Sequence, residues 1–275
     1  MKNFNLNRFG HVVRLDVQTH RKRYVKYFLV LYIASLFVEL LNFYKPSRYG
    51  TEHVEGTLDT VALLFTVFMS WVMLVGASTL FENLKTKGGR QAELTLPATN
   101  LERFLSRYLI VTVGFFVLFL AGFAAADLTR MATLPLLGHS LPSALPALFN
   151  LWFGPDNHVF TIDGMPVGRM LYAQLCLMVT LGTLLTHACY LAGSSLLRKN
   201  AFVLTSLVLF GLLTLTGWFA VEVVGRRIEV VTSLASEWQL ACTNTALLVL
   251  TAGCYWLTWR RFCRVQVIPR KWLRP

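Results

Sequence analysis

Six long stretches of apolar residues run through the chain, separated by polar and charged segments. They cover approximately residues 24 to 44, 58 to 81, 108 to 126, 170 to 194, 201 to 221 and 239 to 259. Each is near the about 20 residues that a helix needs to cross the hydrocarbon core of a bilayer. The alternating pattern of barrel strands is absent from these stretches. The pattern therefore predicts an all-α polytopic membrane protein with six transmembrane helices, because helices bond their own backbone groups in lipid.

The polar segments divide the chain into three parts. Residues 1–23 mix apolar and basic residues in a pattern that fits an amphipathic helix lying in the inner membrane interface. A disordered basic leader is the alternative. Residues 24–259 form the predicted transmembrane domain, and residues 260–275 form a basic tail. We expect no cleavable signal peptide, because the first apolar stretch follows a long polar leader and is long enough to span.

Composition agrees with the membrane class. Hydrophobic residues make up 55% of the chain and charged residues 15%, whereas soluble domains carry about 25% charged residues. The five cysteines form no CxxC pair and have no Cys/His ligand spacing. We therefore expect them to act as small apolar side chains, and we predict no metal site.

The basic residues predict the orientation of the chain. If the N-terminus is cytoplasmic, 20 of the 26 Lys and Arg residues fall on the inner side. Basic residues concentrate on the cytoplasmic side of membrane proteins, so we expect both termini in the cytoplasm. This distribution also accounts for the net charge of +12 without a nucleic-acid partner.

The second outer loop, residues 127–169, is long and mostly apolar, and it holds five of the nine prolines. Such a loop is expected to pack on the helical bundle or to dip into the interface, since an apolar loop is poorly solvated. Residues 159–167 predict a small hairpin around the two-residue turn Asp163-Gly164. In the third outer loop, residues 222–238 predict a short amphipathic or re-entrant helix.

Polar residues recur at helical spacing inside three of the apolar stretches. A polar stripe at membrane depth faces protein or water. It lines a translocation path or a hydrophilic cavity on one interpretation, and forms hydrogen bonds between packed helices or chains on the other. The candidate path or interface residues are Thr66, Ser70, Thr180, Thr183, His187, Tyr190, Thr205 and Thr214.

One carboxylate, Glu39, lies inside the first apolar stretch. It is five residues from Tyr44 at the outer end, which corresponds to about 7.5 Å along a helix. We expect it to reach the surface or to pair with another group there. The alternative is a role in a proton relay.

No catalytic motif is present within the apolar stretches. The chain has no GxSxG, no HExxH and no paired acidic motif inside a span, and we do not expect it to be an enzyme. It also lacks the GxxxxGK[ST] phosphate-binding loop. We predict that it binds no cofactor itself, and any ATP-driven work requires another subunit.

The inner segment between the second and third apolar stretches, residues 81–107, carries turn and cap signals. Residues 81–85 can continue the second helix until Gly88-Gly89 breaks it. Thr99 and Glu102 have the spacing of a capping box, which predicts that a new helix starts there. On that helix Leu101, Phe104, Leu105 and Tyr108 share one face, and Arg103 and Arg107 share another.

The stretch that begins this helix resembles a family motif. It reads Leu96-Pro97-Ala98-Thr99-Asn100-Leu101-Glu102-Arg103-Phe104-Leu105-Ser106-Arg107. It is similar to the Leu-Pro-Ala-Ser/Thr-Asn-x-Glu-Lys/Arg-Phe-x-Ser-Arg stretch that follows the second span in permease subunits of type II ABC exporters. The six-span layout and the amphipathic leader resemble that family more loosely.

The resemblance implies an export permease of the bacterial inner membrane. Such a chain dimerises with a second copy or a paralogue in the lipid bilayer and binds separate P-loop ATPase subunits, which hold ATP and Mg²⁺. The inner segment 81–107 then carries a coupling helix seated on the ATPase, with a smaller contact from the loop between spans four and five. The coupling residues implied are Lys85, Lys87, Arg90, Thr99, Glu102, Arg103, Arg107, Arg198 and Lys199.

A protein of another class is the alternative to the exporter. On that interpretation the chain is a membrane scaffold or sensor that transports nothing. Its outer loop, residues 127–169, would bind a ligand or a partner, and its basic inner loop would signal to the cytoplasm.

Overall fold

The computed structural model describes residues 4–43, 52–137, 142–153, 161–162, 165–166, 169–197, 200–224 and 237–265. These residues are almost entirely helical. The helices are α1 (Leu6–Thr19), α2 (Arg21–Phe43), α3 (Glu52–Ser78), α4 (Lys87–Thr95), α5 (Asn100–Leu109), α6 (Phe115–Thr133), α7 (Leu145–Phe153), α8 (Arg169–Leu196), α9 (Ala201–Val224) and α10 (Glu237–Cys263). A π-helical turn, Ile110–Gly114, joins α5 to α6, and 3-10 turns cover Glu82–Lys85 and Leu134–Leu137.

Within the described residues, five helical stretches are long and apolar enough to cross a membrane. They are Arg21–Phe43, Gly56–Lys85, Asn100–Thr133, Ala173–Leu196 and Leu240–Cys263. A shorter apolar stretch, Ala201–Leu215, lies in α9. The prediction of a helical, multi-pass membrane protein is confirmed at this level. Many exposed side chains on these helices are Leu, Val or Phe, as expected of surfaces that face lipid.

The leader is helical, as the amphipathic pattern predicts. Asn5 caps α1, since its side-chain oxygen accepts from the backbone N–H groups of Asn7 and Arg8 at 2.9 and 3.3 Å. Val12 is the buried residue of α1, while Leu6 and Leu15 stay exposed. An apolar side that protein does not cover is what a helix lying on a membrane surface requires.

The described chain divides into two compact units. The α2–α6 unit consists of Phe4–Met73 and Leu105–Phe160, and the α8–α10 unit contains Leu74–Phe104 and Thr161–Pro275. The core of the α2–α6 unit is aromatic: the ring centroids of Phe65 and Phe123 lie 4.1 Å apart. Helices α2 and α6 pack closely at Gly122, where an added Cβ would lie 3.2 Å from the Cβ of Leu31.

Helix α7 belongs to the outer loop and packs into the core of the α2–α6 unit. Leu148 is fully buried, and Trp152 packs against the core and donates a hydrogen bond to the hydroxyl of Thr66 at 2.9 Å. The prediction that this loop packs on the bundle is confirmed for residues 142–153. The chain enters α7 beside Asp127, and Trp152 ends near Phe116. Because Phe116 precedes Asp127 on the chain, α7 runs alongside α6 in the opposite direction.

The predicted hairpin is present in the α8–α10 unit. Strand β1 (Thr161–Ile162) pairs antiparallel with β2 (Met165–Pro166), with Ile162 opposite Met165. The two turn residues lie outside the described residues, as do residues 225–236 of the third outer loop. In the same unit α8 packs extensively against α10 and also contacts α9.

Candidate functional site

The candidate coupling segment, residues 81–107, folds as three short pieces, and its part up to Phe104 belongs to the α8–α10 unit. The 3-10 turn Glu82–Lys85 is anchored by the buried side chain of Leu84. Thr86 then caps α4, since its hydroxyl accepts from the N–H of Gly89 at 3.1 Å. The helix break therefore falls at Thr86 rather than at the two glycines, which lie in the first turn of α4. Sequence reasoning missed α4. The available signal was Thr86, because threonine is a preferred N-cap residue whose hydroxyl accepts from a backbone N–H in the first turn.

The glycines of α4 differ in their surroundings. A Cβ added to Gly89 would lie 1.8 Å from the backbone oxygen of Asn83, so only glycine fits at that position. Nothing lies within 4 Å of a Cβ added to Gly88. Gly89 thus lets the first turn of α4 fold back tightly against the end of the preceding 3-10 turn.

Helix α4 has one exposed side and one buried side. Lys87, Gln91, Leu94 and Thr95 lie on the exposed side, and Glu93 is buried. The exposed positions recur at intervals of three and four, which places them on one face of a helix. Among the predicted coupling residues in the described part of this segment, Lys87 is the one that is exposed. The exposed face of α4, defined by Lys87, Gln91, Leu94 and Thr95, is the candidate contact surface.

Arg90 is turned back onto the protein. Its Nη1 donates to the backbone oxygens of Leu84 and Lys85, at 3.0 and 3.2 Å. The guanidinium thus satisfies carbonyl groups at the end of the 3-10 turn, where a positive charge is favourable. Arg90 holds α4 against the end of the preceding 3-10 turn.

The predicted capping box is present at the start of α5. The N–H of Thr99 donates to Oε2 of Glu102 at 2.8 Å, and the N–H of Glu102 donates to the Thr99 hydroxyl at 3.2 Å. Glu102 is fully buried. Both residues satisfy backbone groups at a helix end, so their geometry is that of a helix start.

Arg103 connects α4 to α5. One of its terminal nitrogens donates to the backbone oxygen of Glu93 at 2.7 Å, and the other donates to the side-chain oxygen of Asn100 at 2.5 Å. Its side chain is 9% exposed. Arg103 therefore joins the last turn of α4 to the first turn of α5 inside the protein, rather than presenting a charge to a partner.

Helix α5 buries its polar face. Glu102, Arg103, Ser106 and Arg107 are buried, whereas Leu101 and Leu105 are exposed. A soluble helix shows the opposite arrangement. Polar side chains directed at protein and leucines directed outward are the arrangement expected of a helix at the edge of a bilayer, where lipid is the outer medium. Arg107 lies beyond Phe104, in the α2–α6 unit.

The C-terminal end of α10 packs against this segment. The ring of Phe104 lies 5.2 Å from Trp259 and 5.4 Å from Phe262, and Phe81 lies 6.0 Å from Phe262. Edge-on aromatic contacts of this kind hold ring positions well. The candidate contact surface is thus carried on a segment that is fixed to α10 by aromatic packing.

The predicted path residues are divided between the two units. Thr66 and Ser70 lie in the α2–α6 unit, and the other six lie in the α8–α10 unit. Thr66 receives the hydrogen bond from Trp152, while the Ser70 hydroxyl donates to the backbone oxygen of Thr66 and is exposed. The prediction from sequence did not include Trp152, because no local pattern connects it to Thr66.

The polar stripe on α8 divides between two neighbouring helices. His187 Nδ1 lies 3.3 Å from the hydroxyl of Tyr255 on α10. The hydroxyl of Tyr190 lies 2.6 Å from that of Ser206 on α9. These are hydrogen bonds between packed helices. Ser206 was not among the residues predicted from sequence.

The remaining threonines fall into two groups. Thr205 is buried against Gly193, where an added Cβ would lie only 2.0 Å from the Thr205 hydroxyl. Thr180, Thr183 and Thr214 are exposed, and each hydroxyl bonds to a backbone oxygen of its own helix. Helices α8 and α9 thus meet closely at Gly193, and the exposed threonines lie away from that contact.

The second predicted contact, Arg198 and Lys199, lies outside the described residues. Asn200 follows with φ of 49°, a left-handed conformation that asparagine tolerates better than most residues. It directly precedes α9, whose Leu204 N–H bonds to the Asn200 carbonyl at 3.0 Å.

Among the described residues, no group of three or more His, Cys, Asp or Glu side chains is placed to hold a metal ion. Comparisons of the chain with protein-family models, with curated proteins and with solved structures find no match. Functional inference therefore depends on the chain's own residues and geometry.

Proposed function

We propose that the chain is the membrane-spanning permease subunit of an ATP-driven exporter in the bacterial inner membrane. It has six transmembrane helices, with α9 as the fifth, and both termini in the cytoplasm. It works as a dimer with separate P-loop ATPase subunits and alternates between inward and outward access. The observation that supports this proposal best is the exposed face of α4. This helix follows the second span directly and is fixed to the protein by contacts at both of its ends.

The contacts that fix both ends of α4 favour a mechanical role for this helix. A short helix transmits force from a partner only if it does not slide on its own protein. Gly89, Arg90 and Arg103 fix both ends of α4, and Phe104 fixes the start of α5 to the inner end of α10. ATP-driven closure of the partner would therefore move α4 together with α10, and the bundle would change its access in response.

The chemistry of the exposed face indicates the kind of partner surface. Lys87 contributes a positive charge, Gln91 and Thr95 contribute hydrogen-bonding groups, and Leu94 contributes an apolar contact. A groove with an acidic rim and an apolar centre would match this face. Glu102 and Arg103 have a different role in the proposal. They hold α4 and α5 in place and do not touch the ATPase.

The structure redistributes the proposed path residues. Ser70 on α3 and Thr214 on α9 are exposed, so both are open to a second copy or to a path at a dimer seam. His187, Tyr190 and Thr205 serve helix packing in the α8–α10 unit. We propose Ser70 and Thr214 as the better candidates for the path.

Co-purification tests the proposal. The tagged full-length chain, extracted from native membranes in mild detergent, should carry a P-loop ATPase at fixed stoichiometry. The double substitution Lys87→Glu with Gln91→Glu should lower the recovered ATPase about tenfold, the effect of about 1.4 kcal/mol of lost contact energy. Arg264→Glu is the matched control, since Arg264 is also exposed and basic but lies outside α4.

The outcomes separate the exporter from the scaffold alternative. Helix α7 leaves Phe149 and Phe153 exposed, which favours an outer partner if one exists. Isolation with envelope proteins and without an ATPase, together with loss of those proteins in Phe153→Ser, would support the scaffold. Wild-type recovery of the ATPase in the α4 double variant would remove α4 from the coupling surface.

A further inference from the structure

A buried polar cluster lies where the outer ends of α2 and α6 meet residues 142–144 in the α2–α6 unit. We call Ser35, Glu39, Asp127, Arg130 and Ser143 the Glu39 cluster. Ser35, Glu39 and Arg130 are fully buried, and Asp127 is 1% exposed. Glu39 lies four residues before the end of α2, about 6 Å along the helix axis.

The two carboxyl groups of the cluster differ in how their oxygens are used. Asp127 accepts at both oxygens: Oδ1 from Arg130 Nη2 at 2.5 Å and from the N–H of Ala144 at 3.2 Å, and Oδ2 from the Ser143 hydroxyl at 2.5 Å. This is the surrounding of an ionised carboxylate.

Glu39 accepts at one oxygen only. Its Oε2 receives the Nε–H of Arg130 at 3.1 Å, whereas the buried Oε1 has no hydrogen-bond partner among the described residues. The Ser35 hydroxyl, one helical turn earlier on the same helix, is likewise buried and lacks a partner in the described part of the chain. A buried carboxylate oxygen without a donor is strongly unfavourable, since it has lost its water.

The charges of the cluster do not balance if both acids are ionised. The electrostatic partners of Glu39 in the described chain are Asp127 and Arg130, both on α6. Ser143, from the segment after α6, is neutral, and the Arg130 guanidinium also lies 4.2 Å over the ring of Phe43. Two carboxylates and one guanidinium leave one uncompensated negative charge in a place without solvent, which is costly.

We propose that Glu39 holds a proton when the cluster is closed, and that the cluster is a buried proton-binding site. Protonation at Oε1 changes that atom from an acceptor without a donor into a donor. The cluster then contains one carboxylate, one guanidinium and one neutral acid, so its net charge is zero. Pairing of Glu39, expected from sequence, is confirmed, and the partner is Arg130.

The bound proton connects the cluster to the outer medium. If α2, α6 and residues 142–144 separate and admit water, Glu39 becomes an ordinary glutamic acid and releases its proton at neutral pH. The closed state therefore binds one proton more than the open state. By linkage, lower pH favours the closed state and higher pH favours the open one.

Infrared spectroscopy tests the proton directly. The full-length chain in lipid nanodiscs at pH 7 should show the C=O stretch of a protonated carboxyl group, and Glu39→Gln should lose that band. Asp127→Asn removes the excess negative charge of the cluster, so Glu39 should then ionise beside Arg130 and the band should weaken. Absence of the band from the wild-type protein, or its persistence in Glu39→Gln, would overturn the proposal.

Thermal stability measured against pH gives a second test. Above about pH 4.3 a glutamate in water is ionised, so the native state holds a proton that the unfolded state has lost. Stability of the wild type should then fall with rising pH relative to Glu39→Gln, whose side chain mimics the protonated acid. The difference in Tm between the two proteins should grow from pH 5 to pH 8. If Glu39→Gln is instead less stable than wild type by the same amount at every pH, Glu39 is an ionised partner of Arg130.

Discussion

Gly89 shows how one residue determines the position of the candidate contact surface. Its missing side chain lets the backbone of α4 approach the carbonyl of Asn83, and Thr86 caps the turn so formed. Any side chain at this position must push the turn outward. The next glycine, Gly88, has open space around it and has no such constraint.

We predict opposite effects of alanine at these two neighbouring positions. Gly89→Ala should destabilise the protein by about 1–3 kcal/mol, the usual cost of forcing extra atoms into a packed site. Gly88→Ala should be neutral or stabilising by up to about 1 kcal/mol, since alanine favours a helix more than glycine does. Thermal unfolding of both variants in the same detergent measures the difference. Equal stability of the two variants would contradict the close approach of Gly89 to the carbonyl of Asn83.

Individual contacts could be predicted only where both partners are near in sequence. The capping box of Thr99 and Glu102 spans three residues, and it is present as expected. The partner of Glu39 is 91 residues away, so the sequence indicated a pairing but not Arg130. Arg103 could not be placed either, because its acceptor is a backbone carbonyl that becomes available only when α4 ends at that point.

At the scale of elements, α7 is the least expected helix of the chain. It has nine residues, about 13 Å of helix, too few to cross a membrane. The hydrogen bond from Ala144 to Asp127 places its start near the C-terminal end of α6, and the hydrogen bond from Trp152 to Thr66 places its end near the middle of α3. If α3 and α6 span the bilayer, as we propose, we expect α7 to lie within the hydrocarbon layer.

Cysteine labelling should reveal this depth. In a chain whose five native cysteines are replaced, Phe153→Cys should not react with a membrane-impermeant maleimide in intact cells, although residue 153 is 73% exposed from protein. Pro142→Cys, exposed just before α7, should react. Detergent extraction should make both reactive, because only lipid protects residue 153. Equal labelling of both in intact cells would place α7 outside the membrane.

The elements were predictable to different degrees. Long apolar stretches predicted the long helices, because a single segment that crosses lipid can bond its own backbone groups only as a helix. Helix α4 was missed because Gly88 and Gly89 normally weaken a helix, and the cap at Thr86 outweighs them here. The faces of α5 were predicted correctly, but which face is buried depends on the outer medium. The burial of Arg103 and the exposure of Leu101 and Leu105 agree with an outer medium of lipid.

At the scale of the whole molecule, the distribution of basic residues predicts the topology of the chain in the membrane. It predicts that α4, the leader and the tail lie on the same side of the membrane and that α7 lies on the other. Five helical stretches in the described residues are able to span. The sixth span that we propose, in α9, would complete an even number and return the C-terminus to the side of the N-terminus.

Limited proteolysis in oriented vesicles checks that topology. Lys87 is exposed at the start of α4 and is followed by Gly88, so trypsin should cut there. We expect the fragment ending at Lys87 from inside-out vesicles and its absence from right-side-out vesicles. Lys87→Gln should abolish that fragment while leaving the others unchanged. Cleavage at Lys87 in right-side-out vesicles only would reverse the orientation.

The polar anchor at the start of α7 also has a consequence for biosynthesis. A nine-residue helix is too short to be recognised as a membrane span while the chain is being made, since about 20 residues are required. Its partners Thr66, Phe116 and Asp127 all precede it in the chain. We therefore expect α7 to enter the membrane late, by packing onto helices that are already inserted. A mutation that removes Asp127 should leave this apolar segment without its anchor, and the expected result is a lower amount of the protein in the membrane.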